Sequence, residues 1–153
     1  MKVLPDLYVS SPETITPNAF ALPLGLIGFA GYTRAELLHL PDNRPFLWLK
    51  LSGPLGTVTF VVIEPGGLIP GYEPEIFDND AEVLGISDPE EAMILNVVTV
   101  KSPTPVQATV NLAGPILINR RTGIGRQVVI ANYSRYSARH VLAQAEEAAC
   151  ATA

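Results

Sequence analysis

Two histidines, one cysteine and a run of carboxylates are the residues of this chain best suited to chemistry. His39 and His140 are a hundred residues apart and neither has an H-x-x-x-H or H-E-x-x-H companion, so no histidine metal site is indicated. Cys150 stands alone in the last four residues, which excludes an intrachain disulfide and a cysteine metal cluster. No G-x-S-x-G elbow occurs, and Gly123-Ile124-Gly125 lacks the third glycine and following helix of a dinucleotide loop; it reads as a hairpin turn. The carboxylates at 73, 75, 78, 80 and 82 have some calcium-loop character around Asp78-Asn79-Asp80. They miss the D-x-[DN]-x-[DN]-G pattern and its distant Glu, so a solvated acidic loop is the reading. A small β-barrel enzyme or enzyme subunit remains the alternative class. It requires a convergent acid-base or nucleophile set, and none is visible. No catalytic residue, cofactor or metal is therefore expected.

Charge is divided along the chain. Residues 64–91 hold nine of the fifteen acids and no Lys or Arg, whereas residues 101–140 hold Lys101, Arg120, Arg121, Arg126, Arg135 and Arg139 and no acid. The formal net charge of −5 repels phosphate at long range, and the bases are spaced among strand-like residues, so direct nucleic-acid binding is not expected. Two readings of the split stay open: the two segments face each other or solvent, or the acids meet a basic partner.

Positioning these groups falls to short elements. With 48% apolar and 16% charged residues the chain is globular rather than disordered, and 153 residues suit one domain. We expect a single domain over 1–140 and an alanine-rich, partly disordered tail over 141–153. Strand-length apolar segments occur at 14–16, 46–51, 58–63, 93–100, 106–112, 116–118 and 127–131, separated by Gly- and Pro-containing turns about every ten residues. That spacing predicts an all-β fold, a small antiparallel β-barrel or sandwich with one or two short helices. Helix is expected at Tyr32 to Leu38, where Thr33 and Glu36 have capping-box spacing, at Asn79 to Leu84 ended by Gly85, and at Ser137 to Ala149 in the tail. The expected core includes Trp48, Phe60, Val62, Leu95, Val97, Val110 and Ile116. No apolar run approaches the roughly 18 residues of a membrane span, and residues 1–6 lack a signal core, so a cytoplasmic protein without membrane contact is expected.

Residues 108–119, Ala-Thr-Val-Asn-Leu-Ala-Gly-Pro-Ile-Leu-Ile-Asn, followed by Thr122, Gly125 and Gln127, closely resemble the flagellar assembly factor FliW family. Three further stretches agree in order and spacing. Residues 24–29 (Leu-Gly-Leu-Ile-Gly-Phe) resemble the family's G-[IL]-x-G-F, 45–52 its P-F-x-x-L-Q-S strand, and 70–76 its P-D-Y-E-F-E-[IL] segment. The resemblance runs from about Ile15 to His140. It implies a cytosolic β-barrel-like protein without known catalysis or cofactor that binds two proteins in turn, CsrA and flagellin. CsrA is a small dimeric RNA-binding regulator that represses flagellin translation. Flagellin occupies the factor until export frees it to antagonise CsrA.

The partner-facing surface implied for this chain comprises Tyr72, Glu73, Glu75 and Ile76, together with Gln127 and Val128. An RNA-binding partner must display positive potential, and acids with aromatic or aliphatic anchors suit such a partner. The competing reading makes Tyr72, Ile76 and Phe77 core residues beneath a solvated loop. Two departures from the family pattern are Gly71, in place of a polar residue, and Pro74, in place of an aromatic. Proline removes a backbone donor, so this stretch is expected to be an edge strand or loop.

Overall fold

The computed structural model describes residues 1–7, 18–39, 45–103 and 106–142. Among these residues, nine strands form a mostly antiparallel sheet that curls into a half-barrel: β1 (Ala19–Ala21), β2 (Arg34–Leu38), β3 (Leu47–Gly53), β4 (Gly56–Ile63), β5 (Ala92–Pro103), β6 (Val106–Val110), β7 (Ile116–Asn119), β8 (Gly125–Gln127) and β9 (His140–Val141). They pair in the order β1-β2-β3-β4-β5-β6-β9, while β7 pairs with the first residues of β5 and with β8. The far edge curls back: Ala21 N donates to Gly123 O at 2.8 Å, joining β1 to the β7–β8 turn. The expected all-β class is what the structure shows, and the expected Thr14-Ile15-Thr16 strand and the tail beyond 142 lie outside the described residues.

The sheet separates two apolar clusters. One fills the curl with Phe20, Leu22, Leu37, Leu49, Leu51, Met93, Leu95, Ile116 and Ile118. The other lies behind β5 and β7, where Ile94, Val98, Val110 and Leu117 meet Tyr72, Ile76, Leu84 and Ile130. Alternation along β5 and β7 therefore sends side chains into both clusters, which is why Met93-Ile94-Leu95 and Ile116-Leu117-Ile118 are continuously apolar. Of the expected core, Val62, Leu95, Val110 and Ile116 are fully buried, and Phe60 and Val97 pack partly buried against the curl. Trp48 is not a core residue. Leu47, Leu49 and Leu51 take the inward positions of β3, so alternation leaves Trp48 half-buried on the other face.

The helix expected over 32–38 is replaced by β2. The Thr33–Glu36 spacing is a local signal, but Ala35 and Leu37 alternate inward and β2 pairs with both β1 and β3, so ladders on two sides outweigh a single cap. The helix expected at Asn79 to Leu84 is present as α1 (Asp78–Val83). Gly85, at φ +68°, ends it with N–H bonds from Gly85 to Glu82 O (3.0 Å) and from Ile86 to Ala81 O (2.9 Å), the paired closure that a left-handed glycine permits. The expected 127–131 strand is shifted, with only Gln127 in β8, while residues 137–142 contribute β9 rather than a helix.

Asn119, fully buried at the end of β7, organises the hairpin read from Gly123-Ile124-Gly125. Its Nδ2 donates to Leu84 O at 2.8 Å, and its Oδ1 accepts from Arg121 N at 2.8 Å and Thr122 N at 3.2 Å. One side chain thus ties the turn to the end of α1. No helix among the described residues is long and apolar enough to cross a membrane.

Candidate functional site

Residues 71–77 alternate as a strand would. Gly71, Glu73, Glu75 and Phe77 face solvent; Tyr72, Pro74 and Ile76 face the core. Yet the segment joins no regular ladder, because its backbone is satisfied from two sides by other means. Toward the N-terminus, Val3 N donates to Pro74 O (3.0 Å), Ile76 N to Met1 O (2.7 Å), and the Met1 ammonium to Ile76 O (2.8 Å). On the opposite side, the Asn132 amide accepts from Glu75 N (2.9 Å) and donates to Glu73 O (3.0 Å). The Tyr136 hydroxyl accepts from Glu73 N (3.1 Å) and donates to Gly71 O (3.2 Å), and Ala131 N donates to Glu75 O (2.7 Å). The N–H that Pro74 lacks belongs on the Met1–Val3 side, so the proline removes one rung of that pairing.

The expected loop is therefore present, but it is no free edge. A partner adding a strand would find these amides and carbonyls already engaged, so contact here must come from side chains.

Tyr72 and Ile76 do not supply those side chains. Each is 1% exposed, and Tyr72 anchors a buried polar group: its hydroxyl donates to Leu112 O at 2.6 Å and accepts from Asn96 Nδ2 at 3.2 Å. The expectation that they act as apolar anchors is corrected by the alternation itself, which commits 72, 74 and 76 to the inner face. The exposed large apolar side chain of the segment is Phe77, 51% accessible and in phase with Glu73 and Glu75. A period-two count started from Tyr72 finds it in the sequence. Asn132 and Tyr136, which hold the segment, carry no comparable signal, since they act across 57 to 65 residues.

Burial pushes the Tyr72 phenol well above its ordinary range, opposed by the Asn96 hydrogen bond. The folded state thus holds a proton that the unfolded chain releases near pH 10, and stability present below that pH is lost as pH rises above it. Tyr72→Phe should lower stability at neutral pH by about 1–3 kcal/mol, because Leu112 O loses its donor, and should flatten the decline above pH 10. Urea titrations at pH 7 and above 10 check both, and an unchanged alkaline slope would refute the buried-phenol assignment.

Acidic and basic halves of the chain do meet. Arg120 reaches Glu64 (3.9 Å), Arg121 reaches Glu91 (3.3 Å) and Arg126 reaches Asp80 (3.5 Å). Hydrogen bonds from Ser87, then from Asp88 and Arg121, hold the Glu91 carboxyl below its usual range. The acids left facing solvent include Glu75, which enters no ion pair among the described residues, and Glu73, whose contact with Lys2 (3.5 Å) is about half exposed on both sides.

Gln127 and Val128 lie apart from this acidic row. Val128 is buried in the same cluster as Tyr72 and Ile76, so its side chain is scaffold. Gln127 accepts from Ile27 N (3.0 Å) and donates to Gly114 O (3.1 Å), bracing the 24–29 turn against the 111–115 loop. It lines a separate groove with Ile27, Phe29 and Phe60. His39, for which the sequence indicates no metal site, follows β2 with both ring nitrogens shielded and unpaired among the described residues.

The family model described as FliW protein matches residues 8–142. A flagellar assembly factor FliW of Natranaerobius thermophilus is 36% identical over 137 residues, covering 90% of this chain and 86% of that protein. The one from Thermosipho africanus is 32% identical over 141 residues, covering 92% of each. The one from Syntrophus aciditrophicus is 38% identical over 116 residues, or 76% of this chain and 72% of that protein. A crystal structure of the flagellar assembly factor FliW superimposes with a TM-score of 0.71 at 30% identity, covering 93% of this chain and 96% of that one. These relatives are described as assembly factors and not as members of a known enzyme family. With its curled sheet, its short helix and nearly its whole described length matched, the chain belongs to the FliW family of flagellar assembly factors.

Proposed function

We propose that this chain is a cytoplasmic, stoichiometric protein-binding switch that engages CsrA and flagellin in turn and so couples flagellin synthesis to export. The observation that carries the CsrA arm is the row Glu73, Glu75 and Phe77, presented from a backbone whose own hydrogen-bonding groups are spent internally. Such a row offers negative charge and an aromatic anchor at fixed spacing, with little ordering to be done on contact. A regulator that grips RNA phosphates carries positive potential, and the acids both steer it inward and repel competing RNA.

Isothermal titration against the cognate proteins tests the switch. One-to-one complexes are expected with each partner, flagellin binding with a negative heat-capacity change as its amphipathic terminal segments bury apolar surface. Absence of binding heat with both proteins at several temperatures, from folded samples, would sink the reading.

A further inference from the structure

The groove that Gln127 lines opens where the apolar cluster inside the curl reaches the surface, and it encloses about 470 Å³. Its floor is Phe29, Phe60 and Val97, all partly buried against that cluster, and Ile27, 71% exposed, stands on its wall. Phe29 and Phe60 meet edge to face with ring centroids 5.0 Å apart, which fixes the shape of the floor. Lys101 and Arg139 also line the groove, beside the polar Thr99, Thr109 and Asn111. Lys101 lies where a register shift interrupts the β5–β6 ladder between Val100 and Ser102, a device that re-aims a side chain. No carboxylate lines the groove, and neither Lys101 nor Arg139 enters an ion pair among the described residues.

We infer that this groove is a second protein-docking site, built for an amphipathic segment whose apolar residues seat on the Phe29–Phe60–Val97 floor and whose carboxylates meet Lys101 and Arg139. The volume accommodates a few side chains, as the anchors of one helix face would require, and not a whole helix. Charge decides which partner it takes. A basic RNA-binding protein is drawn to the Glu73–Glu75 row and repelled by Lys101 and Arg139, so the groove belongs to the other partner. This inference rests on the switch reading above and adds that the two partners use different surfaces, one acidic and one cationic and apolar.

The test compares parent, Ile27→Ser and Lys101→Glu/Arg139→Glu proteins by titration with cognate flagellin and, separately, with CsrA. All three substituted side chains are exposed, and circular dichroism verifies that each variant is folded. Both variants should bind flagellin at least tenfold more weakly than the parent, and the charge reversal should leave CsrA binding undiminished. Variants that bind flagellin as the parent does overturn the groove assignment while leaving the switch intact. A parent that binds CsrA but not flagellin overturns the groove's occupant, and one that binds neither overturns the switch and the groove together.

Discussion

Truncating Ile116 and Leu117 to alanine, one at a time, should cost about 2–5 kcal/mol each, the range for large-to-small changes at fully buried aliphatic sites. The expectation is unusual because adjacent strand residues point to opposite faces, and in a sheet with one wet face only one of the two would be expensive. Here both are 0% exposed: Ile116 lies in the cluster within the curl and Leu117 in the cluster behind it. Each alanine leaves a void in a different place, so the double variant should lose close to the sum of the two, apart from coupling through their shared backbone. Urea unfolding with a common slope measures all three. A loss below about 0.5 kcal/mol at either site would mean that β7 is covered on one face only, and the two-cluster description would fall.

Reversing Glu73 and Glu75 to Lys should slow association with CsrA at least tenfold at low salt, because steering attraction becomes repulsion, and the difference from the parent should shrink as salt rises. Stability should change little. Both side chains are exposed, and the Lys2–Glu73 pair is of the exposed kind that contributes about 0–1 kcal/mol. Since the substitution also alters net charge, the control reverses Glu146 and Glu147, which shifts formal charge by the same amount. Stopped-flow association rates across a salt series decide the matter. Equal slowing by both double variants would reduce the effect to net charge, and parent-like rates for the 73/75 variant at low salt would remove these residues from the CsrA surface. Phe77, in phase with them, would then lose its role as the neighbouring anchor.

The sequence by itself determined whatever depends on neighbours within a few residues. Turn residues at 52–54 and 123–125 marked the β3–β4 and β7–β8 hairpins, Gly85 marked the end of α1, and the absence of long amphipathic periods marked an all-β chain. The sequence also contained the alternation at 71–77, although reading Tyr72 and Ile76 as anchors set aside the face that alternation assigns them. Tertiary structure decided what depends on residues far apart in the chain. It turned 34–38 from helix to strand because β1 and β3 flank it, and it left Trp48 half-buried because three leucines held the inward positions. It also clamped the acidic segment with Asn132 and Tyr136, and set Gln127 against Ile27 a hundred residues away. The physical reason is common to these cases. Propensity and turn chemistry are local and worth a kcal/mol or less per residue, whereas ladder pairing, core burial and buried hydrogen bonds are larger and pair residues by position in space, which no local pattern encodes.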